Sequence, residues 1–270
     1  MRLQIYKSLW GMEHLTYQDS LSQIAAAGYE GVESPVPEAE HIEEFMELLR
    51  EHRLNYIALI GSRGKSLKEH IETFADGMER AAALQPQLII SHSARDCMSD
   101  EDQAAFFRAA LSEEQTHGVA VGHETHRHRA MYTPWHTAKL LQQFPDLKIT
   151  ADFSHWCCVC ESLLQDQAGA IELASERTIH IHARVGYAQG PQVPHPAAPE
   201  YVLELRTHEA WWKRILSIRQ ASGVDVTTAT PEYGPPGYMH TLPFTRQPVS
   251  DLWDTCLWMK ERIGTSLTND

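Results

Sequence analysis

At 270 residues and 43% hydrophobic content, the chain can bury one sizeable core, and the net charge of −13 argues against nucleic acid as its main partner. No apolar run approaches the roughly 20 residues that span a bilayer, and the start MRLQIYKSLW has no signal-peptide h-region, so a cytoplasmic protein without a membrane partner is expected. The cysteines number five, Cys97, Cys157, Cys158, Cys160 and Cys256, which suggests neither a disulfide framework nor a structural zinc site with paired C-x2-C ligands.

Taken in order, strand-like runs fall at 3–7, 31–33, 55–60, 88–91, 119–124, 147–153, 178–183 and 224–230. Helical patterns lie between them. Ile42, Phe45, Met46 and Leu49 make an apolar stripe, as do Leu67, Ile71 and Phe74. Ser99 can cap a helix running through Ala110, and Thr133-Pro134 supplies a cap and a first-turn proline. Ser250 is placed to open the last helix and Gly264 to stop it. Eight strands, each followed by a helix, predict an α/β chain closed as a (β/α)8 barrel, for which about 250 residues is typical. An open doubly wound sheet is disfavoured, because no G-x-G-x-x-G or P-loop follows any strand. No repeat or linker divides the chain, so one domain over 1–270 is expected. Two connections, 185–204 and 233–248, are long and rich in Gly and Pro, and read as lids over one end of the barrel.

Four metal-ligand types stand at strand ends: Glu124, Asp152, His182 and Glu232. A group there sits on the carboxyl edge of a parallel sheet, where active sites are built. Three carboxylates and one imidazole suit one divalent cation with positions left open for substrate. Strand alternation agrees on three strands. His180, His182 and Arg184 oppose Ile179 and Ile181; Thr150 and Asp152 oppose Ile149 and Ala151; Gly122 and Glu124 oppose Val121. A lone strand-end carboxylate is most often a helix cap or a solvated charge. Four on four strands favour a shared metal site.

The blocks HETH (123–126), ADFSHW (151–156), HIHAR (180–184) and TPEYGPP (230–236) resemble the sugar phosphate isomerase/epimerase family of xylose isomerase-like TIM barrels, whose superfamily also contains endonuclease IV-like enzymes. The resemblance runs from the first strand to the last helix. It implies that Glu124, Asp152, His182 and Glu232 bind one divalent ion, manganese, magnesium, cobalt or zinc. It also implies that His155 and Arg184 contact substrate. His92, Glu33 and Trp10 are further substrate-binding candidates, and Trp156 a possible apolar wall. The implied reaction is isomerisation or epimerisation of a ketose or sugar, free or phosphorylated, through a metal-bound enediolate, with Glu124 and Glu232 as acid and base. A dehydratase or lyase acting on a keto-polyol shares the first proton removal and is the alternative. An endonuclease IV-like phosphodiesterase is less favoured. Strand three ends in ALIGS without a histidine, and VPHP around His195 stands where an Asp-x-His pair is wanted. Relatives often form homodimers or homotetramers, so either assembly is expected.

Overall fold

The computed structural model describes residues 1–267. Its eight strands are β1 (Arg2–Ser8), β2 (Gly31–Pro35), β3 (Asn55–Gly61), β4 (Leu88–His92), β5 (Val121–Glu124), β6 (Ile149–Ala151), β7 (Thr178–His182) and β8 (Val226–Thr230). All pair in parallel, in sequence order, and β8 returns to β1 to close the barrel, with Leu3 opposite Thr227. The helices are α1 (Tyr17–Ala26), α2 (Ile42–His52), α3 (Leu67–Ala82), α4 (Asp100–His117), α5 (Pro134–Gln143), α6 (Phe153–Val159), α7 (Ala168–Arg177), α8 (Val202–Ala221) and α9 (Leu252–Ser266). None of them is long and apolar enough to cross a membrane, among the described residues.

Strand alternation divides the core in two. A small cluster, Tyr6, Ile57, Leu88 and Ile90 with Leu59 against it, fills the barrel interior. A much larger cluster lies between strands and helices and includes Val32, Phe45, Phe74, Phe106, Phe107, Trp156 and Trp212. Because β1 to β4 plug the axis with apolar groups, the polar interior side chains collect at the carboxyl end. Between β6 and β7 the ladder slips by one residue, pairing Ile149 with Thr178 and Thr150 with His180. Such an extra residue bends a strand and re-aims the side chains that follow it.

Capping sets several helix starts: Ser66 accepts from Glu69 N, Ser99 from Asp102 N and Thr133 from His136 N. Several boundaries differ from the sequence expectation. α4 continues past Ala110 to His117, because its last turns are polar and carry no apolar stripe, and Gly118 ends it in the left-handed region at φ 65°. β6 stops at Ala151, since Asp152 already caps α6. α9 is capped by Asp251, whose side chain accepts from Asp254 N, whereas the Ser250 hydroxyl donates to the Pro194 carbonyl. Gly264 lies inside α9 and does not end it.

The two long connections interlock. The Gln192 amide donates to Gly234 O at 3.2 Å and accepts from Gly234 N at 2.7 Å. Tyr233 Oη accepts from Val185 N, and Tyr187 Oη pairs with His240 Nε2.

Candidate metal centre

The four strand-end groups meet. Glu124 closes β5, Asp152 follows β6, His182 closes β7, and Glu232 lies two residues beyond β8. All four are buried, and each offers a ligand atom within 4.8 Å of the others. His182 Nδ1 is the hub, 3.2 Å from Glu124 Oε1 and 3.2 Å from Glu232 Oε2. Its other nitrogen faces the opposite way, 3.3 Å from Glu33.

Glu33 was expected to touch substrate. The structure instead places it beneath the site, 1% exposed and outside the cavity wall, with its carboxylate also 3.4 Å from His180 Nε2. Its β2 position, opposite Ser8 and Ile57, points it to the barrel axis below the rim. There it orients His182 and raises the basicity of the nitrogen that faces the carboxylates, as carboxylates behind metal-binding histidines do. His180 is anchored from its other side by Thr228 Oγ1 at 2.7 Å.

Burial alone would neutralise all these groups, and mutual charge overrides it unevenly. Desolvation opposes the charged Glu124, yet His92 and His182 hold it well below the usual carboxylate range. Glu33 is likewise held low by His182 and His180 against its burial. His182 is raised well above an ordinary histidine: burial works against its charge, and Glu232, Glu33 and Glu124 outweigh it. Asp152 is pushed up to about 6, first by burial; Arg184 lowers it, while Glu232 and Glu124 raise it further. A crowd of carboxylates around two cations is therefore short of positive charge.

Asp152 divides its two oxygens. Oδ1 accepts from Ser154 N at 3.1 Å and from the Ser154 hydroxyl, so it caps α6. Oδ2 receives Arg184 Nη2 and lies 3.7 Å from His155 Nε2. Arg184, 1% exposed, also reaches Glu232 Oε2 at 3.2 Å, donates to His155 Nε2 at 2.8 Å, and stacks 4.8 Å from the Tyr238 ring. Its Nη1 is buried and has no hydrogen-bond partner. His155 is buried behind it and kept neutral by that burial, with His126 and Arg184 acting in the same sense.

Above these groups lies a cavity of about 820 Å³. Arg184, Glu232 and His92 reach it from the metal-ligand side, and Trp10, Pro35, Val36 and Tyr17 supply an apolar wall. The Trp10 ring meets Tyr238 edge-on at 4.9 Å and lies so close to Gly234 that any side chain there would collide with it. Trp156 is not a wall: it is fully buried, stacked on Phe153 and bonded to Met131 O. His195 sits away from the centre, edge-on to Trp258 of α9. The cysteines are free, and Cys157 and Cys256 are buried.

Two residues that were not singled out join the site. The His126 ring lies 3.8 Å from that of His155, tilted 45° to it, and its Nε2 accepts from Tyr238 Oη at 3.2 Å; burial pushes it down to about 3. Tyr238 covers Arg184 from the 233–248 connection. The signals were an imidazole two residues after Glu124 and an aromatic in a Gly/Pro-rich lid.

The donor set fits a divalent cation. Glu124 Oε2 and Glu232 Oε2 are buried and accept no well-formed hydrogen bond, although His92 Nε2 lies 2.5 Å from the first and His182 Nδ1 and Arg184 Nη2 lie 3.2 Å from the second. Unsatisfied buried carboxylate oxygens aimed at one point are costly unless a cation takes them. His92, Glu124 and His126, and Glu33, His180 and His182, form two further ligand-type groups that overlap the first.

Fold and centre together define a (β/α)8 barrel whose carboxyl end carries a carboxylate–imidazole cluster. Residues 21–192 match the sequence profile of the xylose isomerase-like TIM barrel, and the chain belongs to that family. No protein of curated function matches the sequence. Solved structures share the whole fold. A xylose isomerase-like TIM barrel protein from Mycobacterium smegmatis, in complex with magnesium, is 12% identical at TM-score 0.67, over 98% of this chain and 96% of that one. The probable 3-DHS dehydratase AsbF of Bacillus anthracis is 16% identical at TM-score 0.65, over 97% and 98%. The 3-keto-D-glucoside 4-epimerase YcjR of E. coli is 13% identical at TM-score 0.62, over 96% and 100%.

Proposed function

We propose that the chain is a divalent-metal-dependent isomerase or epimerase of a ketose or sugar, free or phosphorylated. The observation that carries this reading is the convergence of Glu124 and Glu232, from different strands, on the same nitrogen of His182 at 3.2 Å each. Family membership supports it, as does a fold neighbour named as an epimerase, while the neighbour named as a dehydratase goes with the lyase alternative.

A cation held by Glu124, Asp152, His182 and Glu232 would supply Lewis-acid polarisation of a carbonyl and its neighbouring hydroxyl. The protein does the rest. Trp10 and the apolar wall hold the carbon skeleton and exclude water, and Arg184 Nη1 takes a substrate oxygen. One glutamate removes the proton beside the carbonyl, and the other returns a proton. Return to the opposite face of the same carbon inverts it, whereas return to the neighbouring carbon isomerises. His92, partly exposed and 2.5 Å from Glu124, can pass the proton between Glu124 and the cavity.

The test has two readings. Elemental analysis of protein purified without chelator is expected to give about one divalent ion per chain. Ketoses incubated with that protein in deuterium oxide are expected to gain deuterium beside the carbonyl, without loss of water. Exchange accompanied by dehydration would make the enzyme a lyase. Absence of metal after reconstitution would overturn the reading.

A further inference from the structure

A second cavity, of about 930 Å³, opens beside the first and shares Pro35, Val36, Glu38, Leu59 and His92 with it. Its charge is opposite to that of the chain. Arg63, Arg80, Arg95 and Arg129 line it, with Glu38 and Asp76 as its lining carboxylates, in a protein of net charge −13. Arg63 follows β3, Arg95 follows β4 and Arg129 follows β5, so three successive connections deliver one guanidinium each.

These guanidiniums have few partners; Arg95 Nη2 reaches His128 Nδ1 at 3.4 Å. Arg129 Nε and Arg95 Nε are buried without a hydrogen-bond partner. Arg95 Nε has Asp96 at 3.8 Å, beyond hydrogen-bond range, and Asp96 is shared with His128 at 3.9 Å. Arg129 Nη1 donates to the Ser62 carbonyl at 3.2 Å, which fixes the fork without cancelling its charge. Among the described residues, neither Arg63 nor Arg129 has a carboxylate in ion-pair range. Burial pushes Arg129 below its ordinary value; Glu124 counters this, and the neighbouring Arg95 and Arg63 charges add to it. The Nε atoms of Arg95 and Arg129 are thus buried donors left unsatisfied within the chain, and an unpaired buried donor is costly.

We propose that this chamber is an oxyanion subsite, in which Arg63, Arg95 and Arg129 hold the phosphate or carboxylate group of the substrate. Guanidinium forks match both oxyanions in geometry. That the other end of the same molecule reacts at Glu124 and Glu232 rests on the function proposed above; the subsite itself does not. His92 lies on the wall of both chambers and touches Glu124, so a ligand running from one to the other passes it. The substrate class is then an anionic keto compound, not a neutral sugar.

Calorimetric titration of the full chain with inorganic phosphate, and separately with succinate, tests this in both the metal-reconstituted and the chelator-stripped protein. One anion per chain is expected in both forms, weakened about tenfold or more in Arg129→Gln and Arg63→Gln. Arg214→Gln, at an exposed arginine paired with Glu172, is expected to bind as the wild type does. Arg63 is exposed, so its variant keeps the fold even if Arg129→Gln does not. Tighter phosphate identifies a phosphorylated substrate and tighter succinate an acid; either supports the subsite. Binding of neither anion, binding lost with the metal, or binding untouched by both substitutions overturns it. Because the readout is binding, a protein that failed the isomerase test would still give a clear answer here.

Discussion

Asp152 shows how one residue can satisfy two readings of its sequence position. A strand-end aspartate is usually a helix cap, and this one is, through Oδ1; the same carboxylate turns Oδ2 into the centre. Asp152→Asn keeps an accepting oxygen for Ser154 N and removes the charge. Metal content is therefore expected to fall by half or more with the thermal midpoint little changed, and unchanged content would remove Asp152 from the ligand set. Glu124→Gln and Glu232→Gln are each expected to lower turnover about 10²- to 10⁴-fold with the circular dichroism spectrum intact. Wild-type turnover in either would refute the acid–base pair. His208 offers a separate test of burial. Its Nδ1 donates to Glu204 O and its Nε2 accepts from Gly186 N, which leaves no place for a second proton, and burial pushes it down to about 4. The unfolded chain takes that proton below about pH 6.5, and the folded chain only near 4. Stability is thus expected to fall by about 3 kcal/mol as pH drops through this window and to level off below it. In His208→Gln, denaturant titrations should show that slope reduced; an equal slope would assign the acid sensitivity elsewhere. The ligand types at strand ends were legible because each followed an apolar run. Glu33 was misplaced because a one-dimensional pattern gives the face a residue occupies and not its depth along the barrel axis.

Elements were legible where periodicity and caps coincided. All eight strands and the caps Ser99 and Thr133 lie where the pattern put them, because strands covered on both faces read as apolar runs and caps have a narrow chemistry. The ends of α4 and β6 were not, since a polar last turn and a strand that passes directly into a helix leave no change of period. At α9 two adjacent residues were chemically able to cap, and side-chain reach decided for Asp251 over Ser250. Asp251→Ala is expected to cost about 1 kcal/mol in denaturant unfolding, and Asp251→Asn, which keeps the accepting oxygen, only a few tenths. Equal losses in both would trace the effect to charge and not to the cap. The lid reading of the two long connections met a feature no sequence pattern carries: the reciprocal Gln192–Gly234 amide pair joins segments far apart in the chain.

At the scale of the molecule, several buried carboxylates lie at one end of a closed barrel, and folding must gather them against their repulsion. A bound cation offsets that cost in the folded state alone. Stripping it with chelator is expected to lower stability by about 3 kcal/mol at metal concentrations near 100 times Kd, and the thermal midpoint by roughly 5–10 °C. A midpoint indifferent to chelator would place the metal, if any, outside this centre. Barrel closure was legible from strand count; of the arginine chamber, Arg95 and Arg129 stood out as candidates for an anionic substrate, but their meeting with Arg63 did not, because the chamber walls come from connections spread between Pro35 and Arg129. That spread has a consequence of its own. Glu124, Asp152, His182 and Glu232 come from β5, β6, β7 and the segment after β8, whereas both cavities are walled chiefly by the segments after β1 to β4. In the proposed function, bond-making thus rests mainly on the second half of the ring and ligand choice mainly on the first. Replacing the connections after β1 to β3 with those of another barrel is then expected to change which molecules enter while leaving Glu124, Asp152, His182 and Glu232 in place.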